Sequence, residues 1–114
     1  MPLNDAARNA MLNNLGGLIT HASLHTADPG TTGTSEVAGG TYARQSITWN
    51  AAATSNLDNL ANPVFNVPAV TTIAHVGFWS AVTAGTFYGS ATVISEVFSG
   101  AGTYTVSDAD ISVS

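Results

Sequence analysis

Ile73-Ala74-His75-Val76-Gly77-Phe78-Trp79-Ser80-Ala81 is the densest apolar run of the chain and holds one of its two tryptophans. Read as a strand, it sends Ile73, His75, Gly77 and Trp79 to one face and Ala74, Val76, Phe78 and Ser80 to the other. Both sets carry large apolar groups, so the strand needs cover on both sides rather than one wet face. The stretch therefore predicts a central strand. An opposing sheet would cover one side, and either a helix or a neighbouring subunit the other.

The flanks read outward from it. Thr83-Ala84-Gly85-Thr86 is a tight connection to a strand over Thr86–Ile94, making an antiparallel hairpin. Pro63-Val64-Phe65-Asn66-Val67-Pro68 is a short strand bracketed by prolines, which lack the N–H a ladder needs, so it belongs at an edge or strand end. Beyond the turn at Ser99–Gly102, Thr103–Val106 and Ala109–Val113 show the two-residue period of Tyr104/Val106 and Ile111/Val113. Upstream, Thr41–Trp49 alternates Tyr42, Arg44, Ser46 and Thr48 with Ala43, Gln45, Ile47 and Trp49. The polar connection 50–62 holds Leu57 and Leu60, spaced for a single helical turn. Leu18–Thr26 is the first strand, closed by the turn signal Asp28-Pro29-Gly30. The long Thr/Gly/Ser-rich loop that follows, to Gly39-Gly40, is of the kind that is functional or mobile.

One helix is predicted, over residues 4–16. Asn4 caps it, Asp5 suits the positive end of its dipole, and Ala7, Met11, Leu12 and Leu15 share a face. Gly16-Gly17 supplies the stop. The fold class is thus all-β: an antiparallel β-sandwich or jelly-roll-like small barrel of six to eight strands, with one short N-terminal helix. Residues 1–17 form a helical arm and 18–114 a single β-sandwich domain.

Composition narrows the function. The chain of 114 residues is 45% hydrophobic but only 8% charged, with two arginines (Arg8 and Arg44), no lysine and seven acids. The remaining surface must be largely Ser, Thr, Asn, Gly and Ala, whose short side chains lose little entropy in a flat contact. That favours a subunit that packs against others. A net charge of −5 argues against nucleic acid and against an anionic membrane surface, both of which call for clustered Lys and Arg. There is no cysteine, hence no disulfide, thiolate zinc site or thiol nucleophile. The N-terminus lacks the basic and apolar regions of a signal peptide, and no segment has the length of a membrane span.

Each candidate chemistry has a plainer reading. His21 and His25 lie roughly 13 Å apart along a strand, too far to share one ion, so a zinc site would need His75 and a carboxylate brought in. The three histidines read as sheet or interface hydrogen-bonders. No Gly-x-Ser-x-Gly elbow exists, and Ser90 lies in an ordinary strand. Asp108 and Asp110 do not make a glycosidase pair on spacing alone. Asp28 to Glu36 offers oxygen ligands for calcium but matches no EF-hand loop. No catalytic, metal or cofactor residue is assigned, and no small-molecule substrate. Trp79 reads as core; Trp49, at a strand end, reads either as core or as a sugar-stacking face. Arg44, a lone cation in mid-strand, calls for a partner: an acid within the fold, Tyr42 by stacking, or a carboxylate on a neighbour. Met11, Leu12, Leu15, Asp28, Glu36, Tyr42 and Arg44 are the candidate contact residues.

Three segments point to a family. Leu24-His25-Thr26-Ala27-Asp28-Pro29-Gly30, then Gly39-Gly40-Thr41-Tyr42-Ala43-Arg44-Gln45, then His75–Ala81 with Gly85-Thr86-Phe87-Tyr88-Gly89-Ser90-Ala91, resemble small tailed-phage virion proteins. These are labelled tail-fibre-like or minor structural proteins and are common in phages of actinobacteria. The resemblance covers roughly residues 18–94 and brings no catalytic residues. It implies a non-enzymatic structural role in the virion. The foremost expectation is a capsid decoration protein on the outer shell, bound to the major capsid protein and to itself as a homotrimer. The alternative is a tail-associated or fibre-like module that contacts host receptors or glycans.

Overall fold

The computed structural model describes residues 3–107 and 109–112. Asp108 and Val113, read above as part of an acid pair and of the last strand, lie outside the described residues. Helix α1 spans Asp5–Leu18. Eight strands follow: β1 His21–His25, β2 Gln45–Ser46, β3 Asn56–Asp58, β4 Val64–Val67, β5 Thr71–Trp79, β6 Phe87–Phe98, β7 Gly102–Thr105 and β8 Asp110–Ser112. One four-stranded sheet has the order β2-β1-β5-β6, and two small sheets pair β3 with β8 and β4 with β7. Every pairing is antiparallel. The layers form a small β-sandwich; no closed barrel forms among the described residues.

The opening stretch is the centre of the main sheet. β5 pairs with β1 from His21↔Trp79 to His25↔His75, and with β6 on its other side. On the core side Ile73, Val76 and Phe78 join Ala22 and Leu24 of β1 and Phe65, Val67 and Tyr104 of the facing sheet. Strict alternation would have put Ile73 with His75 instead. The register shifts between them, where Val93, Ile94 and Ser95 stand opposite Ala74 alone, and this bulge lets Ile73 join the core.

α1 does not cover the second face of β5. The segment after β1 does. Asp28 accepts a hydrogen bond from the Gly30 N–H at 2.9 Å, and the Gly33 N–H donates to the Pro29 carbonyl at 3.1 Å. The chain then returns along β1, with Thr26 N–H donating to Ser35 O at 3.0 Å and Val37 N–H to Leu24 O at 2.9 Å. Gly33 has φ 78° and lies so close to Trp79 that a Cβ there would come within 2.6 Å of the indole. The loop expected to be functional or mobile is a fixed lid over the sheet.

α1 begins as expected, with Asn4 Oδ1 accepting from the Ala7 N–H at 2.9 Å, but it runs through Gly16-Gly17 to Leu18. Two helical glycines cost roughly 1 kcal/mol each relative to alanine. Tertiary packing offsets this, because a Cβ on Gly16 would already touch Leu57 and Trp49 at 3.4 Å. The helix is also tied laterally: the Asn9 and Asn13 side-chain carbonyls accept from the Ser55 and Ala52 N–H groups at 3.0 and 2.8 Å.

Two further segments differ from expectation. The strand read over Thr41–Trp49 shrinks to Gln45–Ser46 and a single bridge at Trp49, because Tyr42 and Arg44 turn inward to polar partners. Residues 50–62 hold a hairpin rather than a helical turn. Ala53 and Asn56 exchange backbone hydrogen bonds of 3.0 and 2.9 Å around Thr54 and Ser55, whose φ values are 53° and 60°. That left-handed two-residue turn usually announces itself with Asn-Gly, which this sequence lacks.

The helix makes a clear energetic prediction. Leu12 is fully buried and Met11 is 49% exposed. Leu12→Ala should cost about 2–5 kcal/mol in urea unfolding, whereas Met11→Ala should stay within about 0.5 kcal/mol. Equal effects would mean that α1 does not dock through Leu12.

Candidate functional site

The residues with the most chemistry converge over the second face of β5. Arg44 lies 3.6 Å above the Trp79 ring centroid, a cation–π contact. Its Nε and Nη2 donate to Glu36 Oε2 and Oε1, both at 3.0 Å, forming a bidentate fork. Its Nη1 donates to the Ala81 and Ala84 carbonyls at 3.1 and 2.8 Å, in the turn between β5 and β6. The ion pair is largely sheltered, with side-chain exposures of 9% for Arg44 and 23% for Glu36. Tyr42 donates its phenol to Glu36 Oε2 at 2.9 Å and accepts from the Leu24 N–H at 3.0 Å. Burial above all holds the Tyr42 pKa well above its ordinary value, so the phenol stays protonated as a donor.

Beneath this clamp runs a second polar chain. His25 Nδ1 lies 2.8 Å from the Thr34 carbonyl, which only accepts, so Nδ1 carries the proton. Nε2 is then the acceptor for the Ser23 hydroxyl at 2.6 Å, and Ser23 Oγ accepts from Trp79 Nε1–H at 2.7 Å. Ser23 and His25 are both fully buried. Gly77 stands opposite Ser23 in the β1–β5 register and makes room for them: a Cβ there would lie 2.5 Å from His25 Nε2 and 2.6 Å from Ser23 Oγ. Burial is the largest influence on His25 and lowers its pKa. His75 and Arg44 add to this; the Thr34 hydrogen bond and Glu36 oppose it.

This serine–histidine pair went unread in the sequence. Its signal is the spacing Ser23-x-His25, which puts both on one strand face, together with a glycine on the neighbouring strand. The hydroxyl-to-imidazole bond has the sense found in serine hydrolases, but Ser23 and His25 are both fully buried, so no substrate reaches the hydroxyl in this conformation.

The other candidates are spread apart. His75 is the cross-strand neighbour of His25, and His21 bonds Thr20 Oγ at 2.9 Å. Among the described residues no three His, Cys, Asp or Glu side chains gather as a metal site. Asp28 serves its own turn, and Glu36 is engaged by Arg44 and Tyr42. Leu12 is buried within its own chain, Leu15 packs against the core, and Met11 is exposed. Trp49 is half-buried: its Nε1 donates to the Ile19 carbonyl at 3.2 Å and its ring meets Phe78 edge-on at 5.6 Å. No described helix is long and apolar enough to cross a membrane.

The sheltered polar network ties the segment after β1 to the sheet and to the β5–β6 turn. The chain belongs to the family described as podophage GP4 fiber I protein gp80, whose model matches residues 3–114. It is therefore a phage virion protein of the tail-fibre type. No curated protein matches the chain. The match bears out the virion part of the resemblance noted above and leaves its actinobacterial association aside.

Gly77→Ala should cost about 2–4 kcal/mol in chemical unfolding, because the new methyl must displace His25 or Ser23 from their hydrogen bonds. An unchanged midpoint would show that the network is not tightly packed.

His25 also gives a pH dependence. Its folded pKa lies below the unfolded value of about 6.5, so between the two the unfolded chain holds more protons. Stability from this group is fully present above pH ~6.5 and falls as the pH drops toward the folded value. Urea midpoints measured downward from neutral pH should decline, and the decline should flatten in His25→Asn. A slope unaltered by that substitution would assign the acid sensitivity elsewhere.

Proposed function

We propose that this chain is a non-enzymatic, fibre-like component of a phage tail that takes part in host contact. The family match across residues 3–114 carries the reading, and it favours the tail-fibre role over capsid decoration. Two observations support it. The fold is elongated, 46 × 23 × 21 Å, a shape suited to a fibre segment more than to a flat cap. Its surface is poor in charge, as expected of a subunit that meets neighbours over much of its area.

Host contact has a candidate location. An open groove of about 520 Å³ between α1 and the 46–51 segment is lined by Ile19, Ile47, Leu57 and Trp49, and rimmed by Asn13, Thr20, His21 and Asn50. An apolar floor with an indole and a rim of amides and hydroxyls matches the two sides of a sugar ring: C–H groups below, hydroxyls around the edge.

Quantitative mass spectrometry of separated heads and tails decides between the virion roles. The chain should follow the tails, in a few copies per particle. Recovery in hundreds of copies on heads would return the decoration reading to first place.

A further inference from the structure

We infer that the tip of the lid, residues 27–34, is an acid-released flap: protonation of His25 swings it off the sheet while the rest of the sandwich stays folded. The tip is bonded mainly to itself. The Pro29 carbonyl accepts from the Gly33 and Thr34 N–H groups at 3.1 and 3.2 Å and from the Thr34 hydroxyl at 3.3 Å, and Asp28 accepts from Gly30. Its ties to β1 and the residue after it are the Thr34 carbonyl on His25 Nδ1, at 2.8 Å, and the Ser35 carbonyl on the Thr26 N–H, at 3.0 Å. Ser35 has φ 65°, a left-handed backbone at the neck that a residue with a Cβ adopts at a cost. Beyond it, Val37 is anchored in the core and Glu36 is held by Arg44. The tip can therefore move as a body without breaking the clamp.

The hydrogen bonds around His25 suit only its neutral form. Nε2 accepts from the Ser23 hydroxyl at 2.6 Å, and Ser23 Oγ already accepts from Trp79 Nε1–H at 2.7 Å. A proton on Nε2 would meet the Ser23 proton head-on. If the hydroxyl turned to accept from both rings, its own proton would lose its acceptor.

The surrounding charges offer the new cation little. From β5, His75 stands opposite His25, and from β6 the uncharged Phe87 ring lies 6.3 Å away. On β1 itself, His21 lies four residues along the same face. From the lid come Arg44, a second cation, and Glu36, whose carboxylate is engaged by the Arg44 fork and the Tyr42 phenol. Asp28 is exposed and turned to its own loop. Burial, the largest influence, lowers the His25 pKa, and His75 and Arg44 add to this against the Thr34 bond and Glu36.

The sign follows from linkage. With the tip open, water reaches the ring and His25 returns to about 6.5, so the open form binds more protons than the closed form just below that pH. The closed form is fully favoured above it and yields as the pH falls. What opposes opening is apolar: Gly33 packs on Trp79 and Phe87, and the buried Pro29 leaves with the tip. Opening thus bares an indole and a phenyl ring on the lid face of the sheet.

Hydrogen exchange of the two indole N–H groups, followed by NMR on the full chain, tests this. Trp79 Nε1–H is bonded beneath the tip, and Trp49 Nε1–H, bonded to the Ile19 carbonyl at 3.2 Å, serves as the reference for the intrinsic effect of pH. The ratio of Trp79 to Trp49 exchange should rise about tenfold per pH unit below pH ~6.5. The backbone amides of the β1–β5 ladder should stay protected throughout. In His25→Asn the ratio should not change with pH. If that variant fails to fold, the ring signals of His25 in the unaltered protein take its place: the ratio must climb while the ring is neutral and level off where it titrates. A flat ratio, ladder amides lost together with the indole, a rise that persists in His25→Asn, or a rise out of step with the His25 ring would overturn the inference.

Discussion

Arg44 holds together several separate parts of the molecule. Its guanidinium meets an indole face, a carboxylate and two backbone carbonyls, drawn from positions 36, 79, 81 and 84. Removing one partner of a sheltered ion pair costs about 3–5 kcal/mol, because the remaining charge is stranded away from water. The consequence here is architectural. The lid over β5 has short backbone bonds to β1 at its two ends, and Arg44 fastens its far side to the β5–β6 turn. With the lid seated, Ser23 and His25 lie in a dry layer, hydrogen-bonded to each other, to Trp79 and to Thr34. Once it lifts, water competes for each of those bonds.

The two faces of β5 are therefore stabilised by different physics. The core face is apolar burial of the ordinary kind, with Ile73, Val76 and Phe78 packed against the smaller sheet. The lid face is polar and directional, and it tolerates less change of shape. That division fits a virion component. Hydrogen bonds and stacking fix one geometry, which a repeated contact requires, while the apolar layer supplies most of the free energy.

Much of the fold could be read from the sequence because it rests on local signals. The two apolar faces of 73–81, the prolines flanking Val64–Val67 and the cap at Asn4 each describe a neighbourhood of a few residues. What stayed hidden was decided across the fold. Gly16-Gly17 reads as a stop until Trp49 and Leu57 are seen against it. Thr54-Ser55 carries no turn signature, and its left-handed backbone is held by flanking strand pairs. The Arg44 partner was one of several open options, since Glu36 lies in a stretch that looked like a free loop. The choice between head and tail was equally out of reach: a charge-poor surface suits any crowded assembly, and nothing in composition says which.

Both arginines are consumed internally, Arg44 by Glu36 and the more exposed Arg8 by Asp5 at 3.5 Å. No lysine exists to replace them. The outward electrostatic field of the folded chain is accordingly negative or neutral, without a compensating cationic patch. Particles displaying several copies should then behave as like-charged colloids through this component. They should repel one another most at low ionic strength and approach as salt shortens the screening length. Any adhesion to an anionic cell envelope must come from shape and hydrogen bonding, or from divalent cations bridging two negative surfaces.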